Sequence, residues 1–447
     1  MMHNKSEQNI VDQVYGIFIN SKGVSIDTRT LEAGQIFFAL KGNNFDANNF
    51  VKEAAEKGAI AIICEKSPPS IDLPHIFVVK SPLAILQDLA THHIKQFDAP
   101  ILAVTGSNGK TTNKELISKI LSEKYQVHST PGNFNNNIGL PLTILQAPPE
   151  TDFFVLEMGT NHFGEIKDLC RIAEPDFGII LNIGKSHLEY LHSIEGVLKA
   201  KSELADYLFA NNGKLFVNTE EKSIESLKSH PVNKILFASK NLYKNISLDN
   251  VRKSPFLHFV LIDNLKNIRV AIKTKLIGDH NLNNIKNAVS ISLFFDIPLQ
   301  SIKTAIEKFE PGSNRSRIVH WNNNTVVLDA YNANPTSMWA SIQAFDSSFT
   351  KPKILIIGEM GELGAVAEEE HTDLISKINL SQVDEIHLIG QIFQHVEIPT
   401  SKPFFLYANT DEFILQTKKT IENKNANILI KGSRFLQLEN IIRPLTL

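Results

Sequence analysis

Residues 103–121, AVTGSNGKTTNKELISKIL, decide the fold of this chain. The stretch opens as a short apolar strand. TGSNGKTT follows, and then Leu116, Ile117, Ile120 and Leu121 recur at helical spacing. A strand, a glycine-bearing loop and a helix in that order form a phosphate cradle. Gly106 and Gly109 let backbone N–H groups close around phosphate oxygens, and the helix N-terminus adds its partial positive charge. Lys110 can reach the β- and γ-phosphates, and Thr111 can ligate Mg²⁺. The match to a Walker A pattern is incomplete, because Val104 stands five residues before Gly109 where that pattern has glycine. The competing reading is a plain strand-to-helix turn, which gives no reason for GKTT at this place.

Outward from the loop, the strands DFFVLE, FGIILNIG and KLFVN alternate with helical segments. That alternation predicts a mostly parallel sheet with crossover helices. PLAILQDLATHHIKQF opens the block, HNLNNIKNAVSISLFFD and LQSIKTAIEKFEP close it, and PGSN around Pro311 reads as a linker. Beyond it, TVVLDA, a helix after Pro335, KILIIG, EIHLIG, FFLYA, a helix TDEFILQTKKTIEN and NILIKG predict a second open α/β sheet. Before the block, QIFFAL, AIAIIC and HIFVV with the helix NNFVKEAAEKGA make a small α/β unit. The expected division is 1–81, 82–311 and 312–447, three α/β domains of which the central one carries the phosphate loop and the last is Rossmann-like.

A length of 447 residues fits two or three domains. A net charge of -3 gives no global attraction to nucleic acid or anionic lipid. Cys64 and Cys170 are far apart and in no metal-ligand spacing, so a reducing cytoplasm fits better than a disulfide framework. MMHNKSEQNI lacks the apolar core of a signal peptide, and no apolar run is long enough to span a bilayer. A membrane role is then expected to be peripheral only.

In open parallel sheets, ligands bind beyond the carboxyl ends of the strands. Glu157 follows DFFVL, Gly184 to His187 follow FGIILNI, Asp329 ends TVVL, and residues 431–434, KGSR, follow NILI. Glu157 is either a solvated strand-end acid or a Mg²⁺ ligand. His187 is either a structural hydrogen-bonder or a ligand. Asn135, Asn136 and Asn137 either make a turn or line the phosphate site, and His280, Asn281 and Asn284 either cap a helix or join that site. Asp329 can accept from an ammonium, and Arg315, Arg317 and Arg434 can pair with carboxylate or phosphate. One lysine stands out. In SIEGVLKAKSELADYL, residues 193–208, a helix places Ile194, Val197, Leu198, Leu204, Ala205 and Leu208 on one face. Lys201 falls in the middle of that face, with Lys199 and Glu203 opposite. It must snorkel, be paired or be modified.

Together TGSNGKTT, NNNIGLP, Glu157 with Met158-Gly159, NIGKSHLEYL, the AKSE around Lys201 and GDHNLNN resemble the ATP-binding middle domain of the Mur ligase family. Third-residue-adding Mur ligases and folylpolyglutamate synthases share that domain. DAYNANPTSM, GEMGELG followed by His371, and KGSR resemble the branch that adds D-alanyl-D-alanine to UDP-N-acetylmuramoyl-tripeptide. The Tyr-Ala-His and Asp-Asn-Pro-Arg motifs typical of the third-residue enzymes are absent. DTRTLEAGQIFFALKGNNFDANNF resembles the family's UDP-binding domain, with Asp46-Ala47-Asn48 where Asp-Gly-His is common.

The resemblance implies an ATP-dependent amide ligase working through an acyl phosphate. It implies an ATP site at Thr105, Gly106, Ser107, Asn108, Gly109, Lys110, Thr111 and Thr112, with Asn284 toward the adenine and Arg315 and Asp329 contributed by the third domain. It assigns Lys110 to the γ-phosphate, Thr111 and Glu157 to one Mg²⁺, and His187 with a carbamylated Lys201 to a second. Asn137 is placed near the transferring phosphoryl group. Asp27, Thr28, Arg29 and Gly42 are expected on the UDP side, and Tyr331, Asn332, Asn334, Lys431 and Arg434 on the dipeptide side. The expected protein is a cytoplasmic monomer without nucleic-acid partners, whose domains close over substrate. Two alternatives are an amide ligase for another substrate and a catalytically silent nucleotide-binding scaffold. Intact Lys110, Glu157, His187 and Lys201 argue against silence.

Overall fold

The computed structural model describes residues 5–42, 44–66, 75–398 and 401–442. Residues 1–4, from the segment read for a signal peptide, and Asn43 of the UDP-side segment lie outside them. The first unit holds α1 (Lys5–Phe18), β1 (Val24–Ser25), β2 (Ile36–Phe38), α2 (Val51–Glu56), β3 (Ala61–Cys64) and β4 (Ile76–Val78). Its four strands pair in parallel in chain order. The helix expected over NNFVKEAAEKGA is shorter, because a 3₁₀ turn at Ala47–Phe50 precedes α2. Asp46 caps that turn by accepting from the Asn48 N–H. α1 was not foreseen.

α3 (Pro82–Ile94) begins with Ser81 as its cap and Pro82 at its first position, both favoured at a helix start. It ties the first unit to the second. Ile36 and Phe38 of β2, Leu86 and Leu89 of α3, and Phe154 and Leu156 further on share one continuous core.

The central unit comprises β5 (Ile101–Thr105), α4 (Lys110–Leu121), β6 (Val127–Ser129), α5 (Gly139–Leu145), β7 (Phe153–Glu157), α6 (Glu165–Ala173), β8 (Phe177–Ile180), α7 (Leu188–Leu191), α8 (Ile194–Ala210), β9 (Lys214–Asn218) and β10 (Asn233–Phe237). Six parallel strands run in the order β10-β9-β8-β5-β7-β6. β5 and β7 are buried at every position, as strands covered by helices on both faces are. Strand order reverses beside β5, so the loop after β5 opens at a topological switch point, where such sheets bind ligands. An antiparallel sheet of β11 (Ile246–Lys253), β12 (Leu257–Asp263) and β13 (Ile268–Lys273) follows, then α9 (Asp279–Phe294) and α10 (Leu299–Lys308). That small sheet was not expected, although LHFVLID does alternate buried and part-buried positions.

The third unit contains β14 (Arg317–Trp321), β15 (Asn324–Asp329), α11 (Pro335–Ser348), β16 (Lys353–Gly358), α12 (Ala367–Asn379), β17 (Glu385–Ile389), β18 (Phe404–Tyr407), α13 (Thr410–Gln416), α14 (Lys418–Ile421) and β19 (Asn427–Lys431). Its order is β14-β15-β19-β16-β17-β18, parallel except for β14 at the edge. The single helix expected over TDEFILQTKKTIEN is two, broken where Thr417 leaves helical geometry at φ -128.

Candidate active site

The phosphate loop is held from behind so that the N–H groups at the start of α4 stay free in front. Gly109 precedes α4 with φ +79, and a Cβ there would meet Asn284 Oδ1 at 2.8 Å. Glycine satisfies both constraints. Asn182 clasps Asn108 twice, its Oδ1 accepting from the Asn108 N–H at 2.9 Å and its Nδ2 donating to the Asn108 carbonyl at 3.0 Å. No side chain caps the start of α4, which leaves its first N–H groups for a ligand. Lys110 Nζ donates to the Gly106 carbonyl at 2.8 Å, folded back over its own loop. Burial pushes its pKa down.

Beneath the loop runs a buried carboxamide chain. Asn113 Nδ2 donates to the Gly109 carbonyl and to Asn284 Oδ1, Asn284 Nδ2 donates to Asn281 Oδ1, and Asn281 Nδ2 donates to the Ile277 carbonyl. Buried polar groups so satisfied lock one arrangement. Asn284, expected toward the adenine, lines the cavity, but both ends of its side chain also brace the loop.

A cavity of ≈ 790 Å³ opens at the sheet ends. From the central unit Ser107, Asn108, Gly109, Lys110, Thr111, Thr112, Asn137, Glu157, His187 and Asn284 line it. The third unit supplies Arg315, Asp329, Tyr331, Asn332, Asn334 and Lys431. The two walls touch, because Asn334 Nδ2 donates to Asn108 Oδ1 at 2.8 Å while the same side chain caps α11.

Glu157 is buried, and its Oε1 accepts from Asn135 Nδ2 at 2.8 Å. Its Oε2 has no partner. A buried carboxylate oxygen left open in the cavity that Thr111 also lines suits a hard cation. Among the described residues no three His, Cys, Asp or Glu side chains converge on a metal position. An ion here would also draw on hydroxyl and substrate oxygens, as Mg²⁺ commonly does. His187 stands in left-handed backbone at φ 53, with Nδ1 2.7 Å from Glu362 Oε2, close but poorly aligned for a hydrogen bond.

Lys201 does not snorkel. It is 0% exposed, and its Nζ has no partner. Burial pushes its pKa well below the ordinary lysine value, and the Lys110 charge adds to the effect. Val197, Leu204, Ala205 and Leu208 are buried beside it as expected, whereas Ile194 is 44% exposed at the first turn. Glu203, opposite, caps α6 by accepting from the Gly164 and Lys167 N–H groups.

Across the cavity, Asp329 and Lys431 are register partners on β15 and β19, with Oδ2 and Nζ 2.6 Å apart. Burial raises the Asp329 pKa, but Lys431 and Ser341 outweigh it and hold the carboxyl below its usual range. Arg315 stacks over Tyr331 at 3.5 Å.

Several expected residues, buried Lys201 among them, do not line the cavity. Thr105 spends its hydroxyl on the Met158 carbonyl, and Gly106 backs onto Leu181. Arg434 pairs with Glu439 at 2.7 Å. Asp27, Thr28, Arg29 and Gly42 stand apart in the first unit, where Arg29 pairs with Asp27 through two nitrogens. Residues not singled out from sequence include Asn113, Asn182, Glu362 and Glu370. Glu362 stood within the quoted GEMGELG, but nothing local marks its partner on another domain.

Three family models match in succession: the Mur ligase family catalytic domain over residues 20–109, the Mur ligase middle domain over 104–292, and the Mur ligase glutamate ligase domain over 314–434. The UDP-N-acetylmuramoyl-tripeptide–D-alanyl-D-alanine ligase of Bacillus subtilis is 34% identical over 460 residues, covering 99% of each chain. A crystal structure of MurF from Acinetobacter baumannii superposes with a TM-score of 0.85 at 28% identity, covering 96% of this chain and 97% of that one. MurF ligase from Thermotoga maritima in complex with ADP gives 0.82 at 26% identity, over 95% and 96%. Phosphate loop, two-walled cavity and full-length likeness agree, and the chain belongs to the Mur ligase family, on its branch of UDP-N-acetylmuramoyl-tripeptide–D-alanyl-D-alanine ligases.

Proposed function

We propose that this chain joins D-alanyl-D-alanine to UDP-N-acetylmuramoyl-tripeptide at the expense of ATP, in peptidoglycan precursor synthesis. The observation that carries the proposal is the single cavity lined by the phosphate loop on one wall and by Asp329, Tyr331, Asn334 and Lys431 on the other. A carboxylate and an amine do not condense unaided, so the carboxylate must first become an electrophile. Its oxygen attacks the γ-phosphorus, the bond to the ADP oxygen breaks, and an acyl phosphate results. The neutral amine of the dipeptide then attacks the acyl carbon, phosphate leaves with the C–O electron pair, and the amine's proton passes to solvent. Positioning and charge neutralisation supply most of the acceleration.

The loop N–H groups and Lys110 hold the transferring phosphoryl group, with Asn137 beside it. Thr111 and Glu157 are assigned to one Mg²⁺, and His187 with Lys201 to a second. Mg²⁺ supplies neutralisation of the phosphate oxygens when bound. Lys201 carries a carbamate in this reading: its amine adds to the carbon of CO₂ and loses one proton, leaving an anionic oxygen ligand. A fully buried amine of lowered pKa supports this, because only the neutral amine adds to CO₂. Arg315 and Asp329 serve the nucleotide, and Tyr331, Asn332, Asn334 and Lys431 the dipeptide. Arg29, 86% exposed and oriented by Asp27, offers a guanidinium to the UDP diphosphate beside Thr28 and Gly42. A monomer is proposed because one chain completes the cavity. A cytoplasmic setting is proposed because Cys64 and Cys170 are both free. No helix among the described residues is long and apolar enough to cross a membrane.

The test is ADP release with UDP-N-acetylmuramoyl-tripeptide, with D-alanyl-D-alanine present, omitted or replaced by single amino acids. Release that needs both the tripeptide nucleotide and the dipeptide is expected. Turnover with a single amino acid only would sink the proposal.

A further inference from the structure

The loop of the third domain that carries GEMGELG is built to deliver one carboxylate across the domain interface. His371, buried on α12, donates from Nδ1 to the Ala367 carbonyl and accepts the Met360 N–H on Nε2 at 2.9 Å. Ser433, after β19, accepts the Gly361 N–H at 2.8 Å, and its own N–H donates to the Glu359 carbonyl. So braced, the loop turns through Glu362 at φ 61. Non-glycine residues in left-handed backbone are strained, and they persist where surrounding structure holds them. Glu362 meets a second such residue: its Oε2 lies 2.7 Å from Nδ1 of His187, itself at φ 53. The backbone joins in, with the Glu189 N–H donating to the Glu362 carbonyl at 3.2 Å. Gly364 lies against Glu189, where a Cβ would come within 3.3 Å of its Cα. Lys185, two residues before His187, pairs with Glu370 of α12, and its N–H reaches Thr336 Oγ1 at 3.2 Å.

We infer that Glu362 is a positioning residue for the cation site: its carboxylate faces Nδ1 of His187 at 2.7 Å, a contact that aligns into a hydrogen bond when the ring offers Nε2 to a divalent ion. A histidine that binds a metal through one nitrogen commonly has the other fixed by a carboxylate, and losing that partner weakens the site 10–100-fold. Here the carboxylate comes from another domain. The second cation site is therefore complete only when the third domain is docked, and cation binding and closure favour each other reciprocally. The inference rests on the assignment of His187 as a ligand.

The experiment titrates Mn²⁺ into the full chain in bicarbonate buffer, read by electron paramagnetic resonance, with small-angle scattering on the same samples. Glu362→Ala and Glu362→Gln are expected to weaken the Mn²⁺ site that depends on His187 by about tenfold and to abolish the Mn²⁺-dependent compaction expected of the parent. Glu362 is about half exposed on a loop, and matching circular dichroism and melting profiles verify that both variants are folded. His187→Ala is expected to remove the site, and adding Glu362→Ala to it to change nothing more. If both Glu362 variants bind Mn²⁺ as the parent does while His187→Ala does not, the positioning role is overturned and the ligand assignment stands. If His187→Ala also binds as the parent does, the ligand assignment falls and the positioning role with it.

Discussion

Lys201→Met separates a structural lysine from a functional one. Methionine is unbranched and of similar length, so it refills the space of the four-carbon stem and removes only the amine. That amine is fully buried and has no partner. Mutational data put an unpartnered buried polar group at about 1–3 kcal/mol, so the variant is expected to be more stable by that amount. Hydrogen exchange of α8 amides reads this directly, with protection rising roughly 5- to 150-fold where opening exposes residue 201. The pH dependence has a definite sign. Burial depresses the folded-state pKa, so between that value and the ordinary lysine value of about 10.4 the unfolded chain binds more protons. The penalty is full below the folded pKa and is relieved as pH rises toward the unfolded one. Parent stability should therefore climb over that window, and Lys201→Met should lose the slope. Bicarbonate should stabilise the parent and not the variant, since only the amine forms a carbamate. Turnover should fall at least about 100-fold, the scale of losing one charge-stabilising group. In Lys201→Ala, which leaves room, short carboxylic acids should restore part of it. A Lys201→Met protein that is less stable than the parent and still turns over would refute the reasoning.

Other expectations follow from single contacts. Gly109→Ala places a Cβ 2.8 Å from Asn284 Oδ1 at φ +79, so the loop must shift; ATP affinity by calorimetry should drop about tenfold, equivalent to about 1.4 kcal/mol. Lys431→Met leaves Asp329 buried without its cation and should destabilise the third domain by about 3–5 kcal/mol in denaturant unfolding. The native contribution of Asp329 is present above the ordinary carboxylate pKa and lost as pH falls through its lower folded value. The deficit of Lys431→Met relative to the parent should therefore be greatest above the ordinary carboxylate pKa and shrink as pH falls and Asp329 is protonated. Asn334→Ala removes the cap of α11 and the bond to Asn108; about 1 kcal/mol of stability should be lost, together with tightness of closure by scattering. Removing divalent ions with EDTA should abolish ADP release, and Mg²⁺ should restore it.

The motifs were legible because local chemistry forces them. A loop that binds phosphate needs glycines, a lysine and a helix start in a fixed order, and an apolar strand covered on both faces reads as an apolar run. The short edge pieces were less legible. β6 is too brief to show a period, β14 is an edge strand with Trp321 as its one buried position, and the sheet of β11 to β13 gains its core by packing on α10 within a cluster that α9 shares. Lys201 shows the boundary between the two. Periodicity alone placed it on an apolar face, but snorkelling and burial are equal along a helix axis; only the surrounding elements closed the route to water. Glu362 lay beyond sequence reading altogether, since a loop carboxylate is distinguished by what it meets. By itself the sequence determined the strand–loop–helix cradle, the α/β alternation and the residues with chemistry at strand ends, all set within a few residues of chain. The tertiary structure decided which of those residues share a cavity, which are spent on bracing it, and which partner His187 has. These are contacts between segments more than a hundred residues apart, and only packing brings them together.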